Sequence, residues 1–282
     1  MANDERVIAM KVMSAKIRIE TICQMTEIGF GHIGGSMSIA DVLGVLYGGV
    51  MRIEPKNPGW KDRDYLVCSK GHAGPAIYSA LALKGYFPMD WLKTLNKPQT
   101  NLPSHCDRLR TPGIDMTTGS LGQGLSAAAG IALGNRIDNR DNYTYAIMGD
   151  GECEEGQIWE AAMTAGHYKL SNLIAFVDYN GIQIDGPVEM VNNITNFAER
   201  FGAFRWHTQE VDGHDVAAID EAVTKAKAVK DKPSVIVLKT VKGQGCAYVV
   251  SMSYNHHIPM PKDKLEESLR ILEAEIKSYT DR

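Results

Sequence analysis

Residues 143–182 read YTYAIMGDGECEEGQIWEAAMTAGHYKLSNLIAFVDYNGI, and this stretch decides the fold class. It begins with a short apolar run that predicts a strand over Tyr143–Met148, and a second such run predicts a strand over Leu173–Asp178. Apolar residues at helical spacing between them predict a helix over Gln157–Lys169. Two strands joined by a helix in this order form a β-α-β unit, in which the strands lie parallel.

The same alternation extends to both sides of this unit. Further strands are predicted over Asp64–Cys68, around Trp206–Val211 and over Ser234–Thr240. Helices are predicted over residues 5–28, Ile39–Met51 (with Ser38 as its N-cap), Ala73–Lys84, Leu125–Arg136, 192–202, 215–230 and Lys262–Ser278. We therefore expect an α/β fold with a mostly parallel central sheet and helices on both faces. No repeat or linker divides the chain, so one domain over residues 1–282 is expected.

Composition narrows the classes of partner. The 282 residues include 30 Lys and Arg against 34 Asp and Glu, a net charge of -4 that argues against nucleic acid or an anionic membrane as the main partner. No apolar run approaches the ~20 residues of a membrane span, and the N-terminal residues are charged where a signal peptide would be apolar. Five scattered cysteines without a CxxC pair suit free thiols in a reducing compartment, so a cytoplasmic protein is expected.

Polar side chains follow two consecutive predicted strands. Asp150 lies between Gly149 and Gly151 directly after the first strand, and Asn180 follows the second. Each loop alone is typical of an ordinary turn, but the carboxyl ends of parallel strands form the ligand-binding edge of such sheets. A carboxylate, an amide oxygen and phosphate oxygens are suitable ligands for Mg²⁺, or for Ca²⁺ or Mn²⁺ in its place. The two loops therefore predict a metal–phosphate site.

A glycine-rich segment, GSLGQG (119–124), opens the helix predicted from Leu125. Such a segment can bind a dinucleotide, bind a phosphate or only allow close packing. Because it follows an irregular segment (96–118) and no clear strand, a nicotinamide cofactor is disfavoured.

Histidines form the second constellation. His32, His72 and His105 each lie in a Gly- or Pro-rich loop, and His256 and His257 lie in a fourth irregular segment. Four loops that each offer histidine suggest a polar pocket that handles hydroxyl groups and protons. Zinc is not favoured because no HxxxH or Cys/His pair is present. Three further histidines are expected to be structural or turn residues: His167, His207 and His214.

Six segments in this order resemble the transketolases, a family of thiamine-diphosphate enzymes. They are GHIGGSMSIADVL (31–43), DRDYLVCSKGHAGPAIYSAL (62–81), TTGSLGQGLSAAAG (117–130), GDGECEEGQIWEAAM (149–163), VDYNGIQIDG (177–186) and KTVKGQG (239–245). The resemblance implies thiamine diphosphate and Mg²⁺ as cofactors. It also implies transfer of a two-carbon ketol unit from a ketose to an aldose, in the pentose phosphate pathway or on a specialised branched or sulfonated sugar.

The chain resembles only the diphosphate-binding part of a transketolase. The resemblance is to the N-terminal subunit of a split enzyme, so it implies a second subunit that binds the aminopyrimidine ring and carries the glutamate that activates it. An α2β2 heterotetramer is the implied assembly.

The resemblance also implies roles for individual residues. Asp150, Asn180 and the Ile182 carbonyl would bind the metal. His32 corresponds to the histidine implicated in proton transfer at the donor hydroxyl, and His105 to the one that contacts the C1 hydroxyl. The implied catalytic histidines are His32, His72, His105 and His256, with His256 preferred over the adjacent His257. The implied cofactor-binding residues are His72, Gly119, Leu121, Gly151, Glu155, Asn180 and His256, with Glu155 also at a subunit contact.

Three other functions are left open by the sequence. The chain could be a subunit of another thiamine-diphosphate enzyme, either the α-subunit of a 2-oxo acid dehydrogenase or a deoxyxylulose-phosphate synthase. The former normally lacks the GHxGG and SKGHA histidine loops, and the latter is normally one long chain. A non-catalytic relative is also conceivable, although Asp150, Asn180 and the loop histidines are intact. A nicotinamide dehydrogenase is the third alternative.

Overall fold

The five strands predicted from the sequence form one parallel sheet in the computed structural model, which describes residues 2–281. Its strands are β2 (Tyr65–Cys68), β3 (Thr144–Gly149), β4 (Leu173–Tyr179), β7 (His207–Asp212) and β8 (Ser234–Lys239). Their order across the sheet is β2-β3-β4-β8-β7. Two small antiparallel pairs lie outside it: β1 (Phe30–Gly31) with β9 (Ile258–Pro259), and β5 (Ile182–Gln183) with β6 (Gly186–Pro187).

Helices cover both faces of this sheet, which confirms the predicted α/β class. They are α1 (Ala2–Ile28), α2 (Gly34–Met37), α3 (Ala40–Val45), α4 (Gly74–Leu83), α5 (Gly124–Ile137), α6 (Gly156–His167), α7 (Val188–Asn192), α8 (Phe197–Ala203), α9 (Val216–Ala228), α10 (Ala247–Ser251) and α11 (Lys262–Thr280). Short segments of 3₁₀-helix occupy Gly71–Ala73, Met89–Thr94 and Gly151–Glu154, and α3 continues into a π-helical turn over Leu46–Val50.

Alternate residues of each strand belong to different cores, because successive side chains of a strand point to opposite faces. Tyr145 and Ile147 of β3 pack in the core that includes α1, α3, α4 and α9. Ala146 and Met148 pack in the second core, formed with α5, α6 and α8. Both faces of the sheet are therefore buried, which explains why its strands read as continuous apolar runs.

Two details of the predicted elements are wrong. Ser38 does not cap a helix: its hydroxyl donates to the buried Asp178 carboxylate, 2.6 Å away and 140 residues later in the chain. The helix predicted over 192–202 is broken, since α7 ends at Asn192 and α8 begins at Phe197. Asn196 between them has a φ of 61°, in the left-handed region that asparagine tolerates and a helix interior does not.

The carboxyl ends of β2, β3 and β4 lie side by side, with Cys68 paired to Ile147 and Gly149 paired to Asp178. The loops that leave these three strands therefore begin at one edge of the sheet. Within residues 2–281, no helix is long and apolar enough to cross a membrane.

Candidate active site

A cavity of about 560 Å³ opens at this edge of the sheet. Every site residue predicted from the sequence lines it: His32, His72, His105, Gly119, Leu121, Asp150, Gly151, Glu155, Asn180, Ile182 and His256. The loops that supply them are separated by as many as 224 positions in the chain, from His32 to His256. The structure thus brings the predicted residues together, while their individual roles stay predictions.

The turns after β3 and β4 are joined through Asp150, which is 3% exposed. Its Oδ1 accepts a hydrogen bond from the Gly151 N–H (2.8 Å), and its Oδ2 accepts one from the Gly181 N–H (2.6 Å). Asn180 Oδ1 accepts from the Ile182 N–H at 3.1 Å. One carboxylate, one amide oxygen and one peptide carbonyl thus line the same cavity.

This donor set fits a divalent cation with oxygen ligands, of which Mg²⁺ is an example. Burial and the neighbouring Asp178 raise the pKa of Asp150 to about 6. A cation beside Asp150 would offset both effects, because an opposite charge favours the ionised carboxylate. The metal itself would be held by Asp150, Asn180 and the Ile182 carbonyl, together with oxygens of a bound ligand.

Asp178, the last core residue of β4 before this turn, fixes the surrounding side chains. It is fully buried, accepts from Lys70 Nζ at 2.5 Å and from Thr240 Oγ1 at 2.5 Å, and also accepts from the Asn180 amide at 3.1 Å. The Lys70 ammonium and hydrogen bonds keep the pKa of this carboxyl below its usual value in spite of burial. The Asn180 amide nitrogen is thereby held by Asp178, and its oxygen, which accepts from the Ile182 N–H, keeps a second lone pair for a cation.

Two lysines at the cavity were not assigned from the sequence. Lys70 follows β2 and Lys242 follows β8, and both side chains are nearly buried. Lys242 Nζ donates to the Ile182 carbonyl at 2.8 Å and lies 3.3 Å from His256 Nδ1. Burial and the charge of Lys70 lower the pKa of Lys242 to about 8. An anion bound between them would relieve this repulsion, so the same end of the cavity fits a diphosphate.

Glu152 is a further residue that the sequence did not indicate. Its buried Oε1 accepts from the Ser69 hydroxyl and from the Gly122 N–H (2.9 Å), while Oε2 accepts from the Gly149 N–H (3.1 Å). One carboxylate therefore holds together the loop after β2, the turn before α5 and the end of β3. Position 122 requires glycine, because its φ is 86° and a Cβ there would lie 2.6 Å from the Glu155 Cβ.

The histidines of the cavity lie against one another and against the neighbouring His257. The His32 ring centroid is 5.4 Å from that of His72, 5.5 Å from His105, 5.3 Å from His256 and 4.6 Å from His257. Burial, followed by the charges of neighbouring histidines, lowers the pKa of His32 to about 4. Burial and Lys242 lower the pKa of His256 to about 3. These rings are neutral at pH 7, so each has one unprotonated nitrogen that can accept a hydrogen bond from a hydroxyl group of a ligand.

A signal for the two lysines was present in the sequence. Each follows a strand of the sheet within a glycine-containing loop, SKGHA (69–73) for Lys70 and TVKGQG (240–245) for Lys242. Glu152 carried no comparable signal, because its partners belong to three separate segments.

Comparisons with known proteins agree with the geometry. The family model described as the thiamine diphosphate binding domain of transketolase matches residues 9–278. The 6-deoxy-6-sulfo-D-fructose transketolase subunit SqwG of Clostridium sp. (strain MSTE9) is 50% identical over 271 residues, 96% of this chain and 98% of its own length. One of the subunits of the apulose-4-phosphate transketolase of Phocaeicola vulgatus is 36% identical over 94% of each chain.

Longer relatives match over less than half of their length. Transketolase 1 of Escherichia coli is 40% identical over 89% of this chain but 39% of its own. The crystal structure of Pichia stipitis transketolase with sedoheptulose-7-phosphate has a TM-score of 0.85 and 30% identity, and covers 98% of this chain and 45% of that one. This chain is thus similar in length to the two subunits and spans about two fifths of the single-chain relatives.

Proposed function

The chain belongs to the transketolase family, in which it corresponds to the thiamine-diphosphate-binding domain, and on that basis we propose that it contributes to transfer of a two-carbon ketol unit from a ketose to an aldose. Thiamine diphosphate and Mg²⁺ are the proposed cofactors. The proposal covers residues 1–282 as one diphosphate- and metal-binding domain.

One observation carries this proposal. At one end of the cavity, the oxygen ligands Asp150, Asn180 and the Ile182 carbonyl adjoin the ammonium groups of Lys70 and Lys242. Cation ligands and anion ligands in one place are what a metal–diphosphate pair requires, since each partner offsets the charge of the other.

The remaining residues would act on the sugar. Bound thiamine diphosphate supplies a carbon nucleophile and an electron sink for cleavage of the bond next to the ketose carbonyl. His32, His105 and His256 are neutral at pH 7, so each can accept a proton from a donor or acceptor hydroxyl and return it later. The proximity of His32 to both neighbours supports a shared proton-handling surface at the sugar end.

A second subunit is part of the proposal. Leu121, Glu155 and Ile184 line the cavity and are exposed. Two relatives of the same length are called subunits, whereas the single-chain relatives continue beyond the matched region. We therefore propose that a partner chain closes the cavity on this side, supplies the aminopyrimidine-binding domain and forms an α2β2 heterotetramer with this chain.

The substrate class follows from the relatives of equal length. Their names refer to 6-deoxy-6-sulfo-D-fructose and to apulose-4-phosphate, both ketoses with an anionic terminal group. The higher identity to the former makes a 6-sulfonated ketohexose the first donor to test, with pentose-phosphate pathway ketoses next.

The five unpaired cysteines, four of them buried, support a reducing compartment, for which we propose the cytoplasm.

The cofactor is tested by thermal-shift measurements on the chain in complex with its partner subunit. Thiamine diphosphate with Mg²⁺ should raise the melting temperature, and EDTA should abolish the increase because the diphosphate binds through the metal. An increase with NAD and none with thiamine diphosphate would overturn the proposal.

A further inference from the structure

Segment 241–245 carries Lys242 into the cavity, and its first peptide group is held by His214. The Val241 N–H donates to His214 Nε2 at 2.8 Å, while His214 Nδ1 lies 2.8 Å from Asp41 Oδ2. A peptide N–H can only donate, so Nε2 must carry the lone pair and Nδ1 the proton. The two hydrogen bonds thus fix one neutral tautomer of His214.

The far end of the same segment is held by Arg18. Its guanidinium forms two hydrogen bonds with the Asp41 carboxylate, and its Nε donates to the Gln244 carbonyl at 3.1 Å. Arg18 and Asp41 are each only 4% exposed, so this ion pair is shielded from water. Asp41 therefore binds both His214, which accepts a hydrogen bond from Val241, and Arg18, which donates one to Gln244.

In the chain, Lys242 lies between these two hydrogen-bonded positions. Its ammonium donates to the Ile182 carbonyl and faces His256, as described above. Its own carbonyl accepts from the Asn255 amide at 3.0 Å, and the next peptide N–H, that of Gly243, donates to the Gly34 carbonyl at 3.0 Å. A shift of Val241 would move the start of this loop and, with it, the direction of the Lys242 side chain.

His214 is not itself in the cavity that Lys242 lines. It borders a separate polar cavity of about 300 Å³. The charged or titratable groups that line this second cavity with it are Lys11, Asp41, Asp212, Asp215, Glu275 and Tyr279. Any effect of His214 on the first cavity must therefore act through the loop.

We propose that His214, held by Asp41 and Arg18, is a positioning residue that sets Lys242 at the diphosphate end of the site. The inference depends on the proposed function, because it concerns the binding of the diphosphate. It assigns a function to a histidine for which the sequence predicts only a place in a turn. His214 indeed lies in the turn, where its N–H donates to Asp212 Oδ1 at 2.9 Å, but its ring makes the long-range contacts.

Three variants separate positioning from general stability. His214→Phe keeps the ring shape and removes both hydrogen bonds, whereas His214→Gln retains an amide that can accept from Val241 and donate to Asp41. Asp215→Ala is the matched control in the same turn. Asp215 caps α9 by accepting from the Ala217 and Ala218 N–H groups and forms no hydrogen bond with segment 241–245, so its loss should lower stability without displacing Lys242.

The experiment is calorimetric titration of thiamine diphosphate with Mg²⁺ into the complex of this chain with its partner subunit. His214→Phe should weaken binding about tenfold, the loss expected for a misplaced charged hydrogen-bond donor. His214→Gln and Asp215→Ala should stay close to the wild-type affinity, and Asp215→Ala should also keep the wild-type kcat at saturating cofactor. Equal weakening by His214→Phe and Asp215→Ala would overturn the positioning role and leave the proposed function intact.

Failure of the proposed function gives a different result, since the wild-type complex would then not bind thiamine diphosphate at all. A second readout needs no cofactor. In the ¹⁵N-histidine-labelled chain, the His214 imidazole should show the Nδ1–H tautomer, and His214→Phe should remove that signal. Observation of the Nε2–H tautomer would contradict the hydrogen bond to Val241 and overturn the inference by itself.

Discussion

The Lys70 ammonium lies 2.5 Å from Asp178 Oδ2, and this ion pair joins the ends of β2 and β4 with both side chains buried. Lys70 faces the cavity that also exposes Asp150, so the pair anchors the site to the sheet. A buried ion pair adds little net stability, but removal of one partner leaves an unpaired charge in a medium of low polarity.

Lys70→Met should therefore destabilise the chain by about 3–5 kcal/mol, measured as the free energy of unfolding in urea. The double variant Lys70→Met/Asp178→Asn should recover part of this loss because it removes the unpaired charge. Lys97→Met is the control, since Lys97 forms an exposed pair with Glu27 and should shift the urea midpoint little. A double variant no more stable than Lys70→Met would contradict the explanation.

Asp150→Ala should abolish Mg²⁺-dependent binding of thiamine diphosphate. The change removes the only carboxylate of the proposed ligand set and leaves the Gly151 and Gly181 N–H groups without their acceptor. Calorimetry with Mg²⁺ and with EDTA measures the effect. Asp185→Asn is the matched control, because Asp185 also lines the cavity but is exposed and outside that set. Unchanged affinity in Asp150→Ala would refute the metal assignment.

His32→Ala should lower kcat by about 10²–10⁴-fold, the usual contribution of a general acid or base, while cofactor affinity changes little. His32 lines the cavity, is not among the proposed metal ligands and is surrounded by four other histidine rings. Steady-state kinetics of the complex and calorimetry of the cofactor test the two halves of this statement. A weaker affinity with unchanged kcat would place His32 in cofactor binding.

Acid should destabilise the chain through its buried histidines. The pKa of His32 is about 4 in the folded chain against 6.5 in its ordinary state, so the unfolded chain binds more protons between these values. The free energy of unfolding should therefore fall as the pH decreases from about 6.5 towards about 4.

His32→Gln should make this fall less steep, by a slope that corresponds to at most one proton. Urea unfolding of wild type and variant at a series of pH values gives the two slopes. Identical slopes for wild type and His32→Gln would show that His32 is not protonated in this way.

The sheet could be predicted because both of its faces are buried, so β3 and β4 read as apolar runs such as YTYAIM and LIAFVD. The placement of Asp150 and Asn180 followed from the same order, since each directly follows a strand. The predictions that were wrong concern residues whose contacts lie far away in the chain. Serine is a common helix cap, but the Ser38 hydroxyl instead donates a hydrogen bond to the Asp178 carboxylate, which is distant in the chain.

The buried lysines and His214 escaped prediction for a related reason. A lysine in a polar loop is most often solvated, and only the arrangement of three strand ends shows that Lys70 is enclosed. His214 has its partners 173 positions earlier, at Asp41, and 27 positions later, at Val241. No pattern among neighbouring residues of the sequence predicts hydrogen bonds between residues so far apart.

The most direct measurement is ketol transfer from a 6-sulfonated ketohexose, with Mg²⁺ and thiamine diphosphate, as the partner subunit is titrated into this chain. Either protein by itself should show little or no transfer, and activity should rise with the partner until the two are equimolar. Strong transfer by the isolated chain would contradict the proposed half-site. A mixture that decarboxylates 2-oxo acids and transfers no ketol unit from any ketose would contradict the proposed reaction.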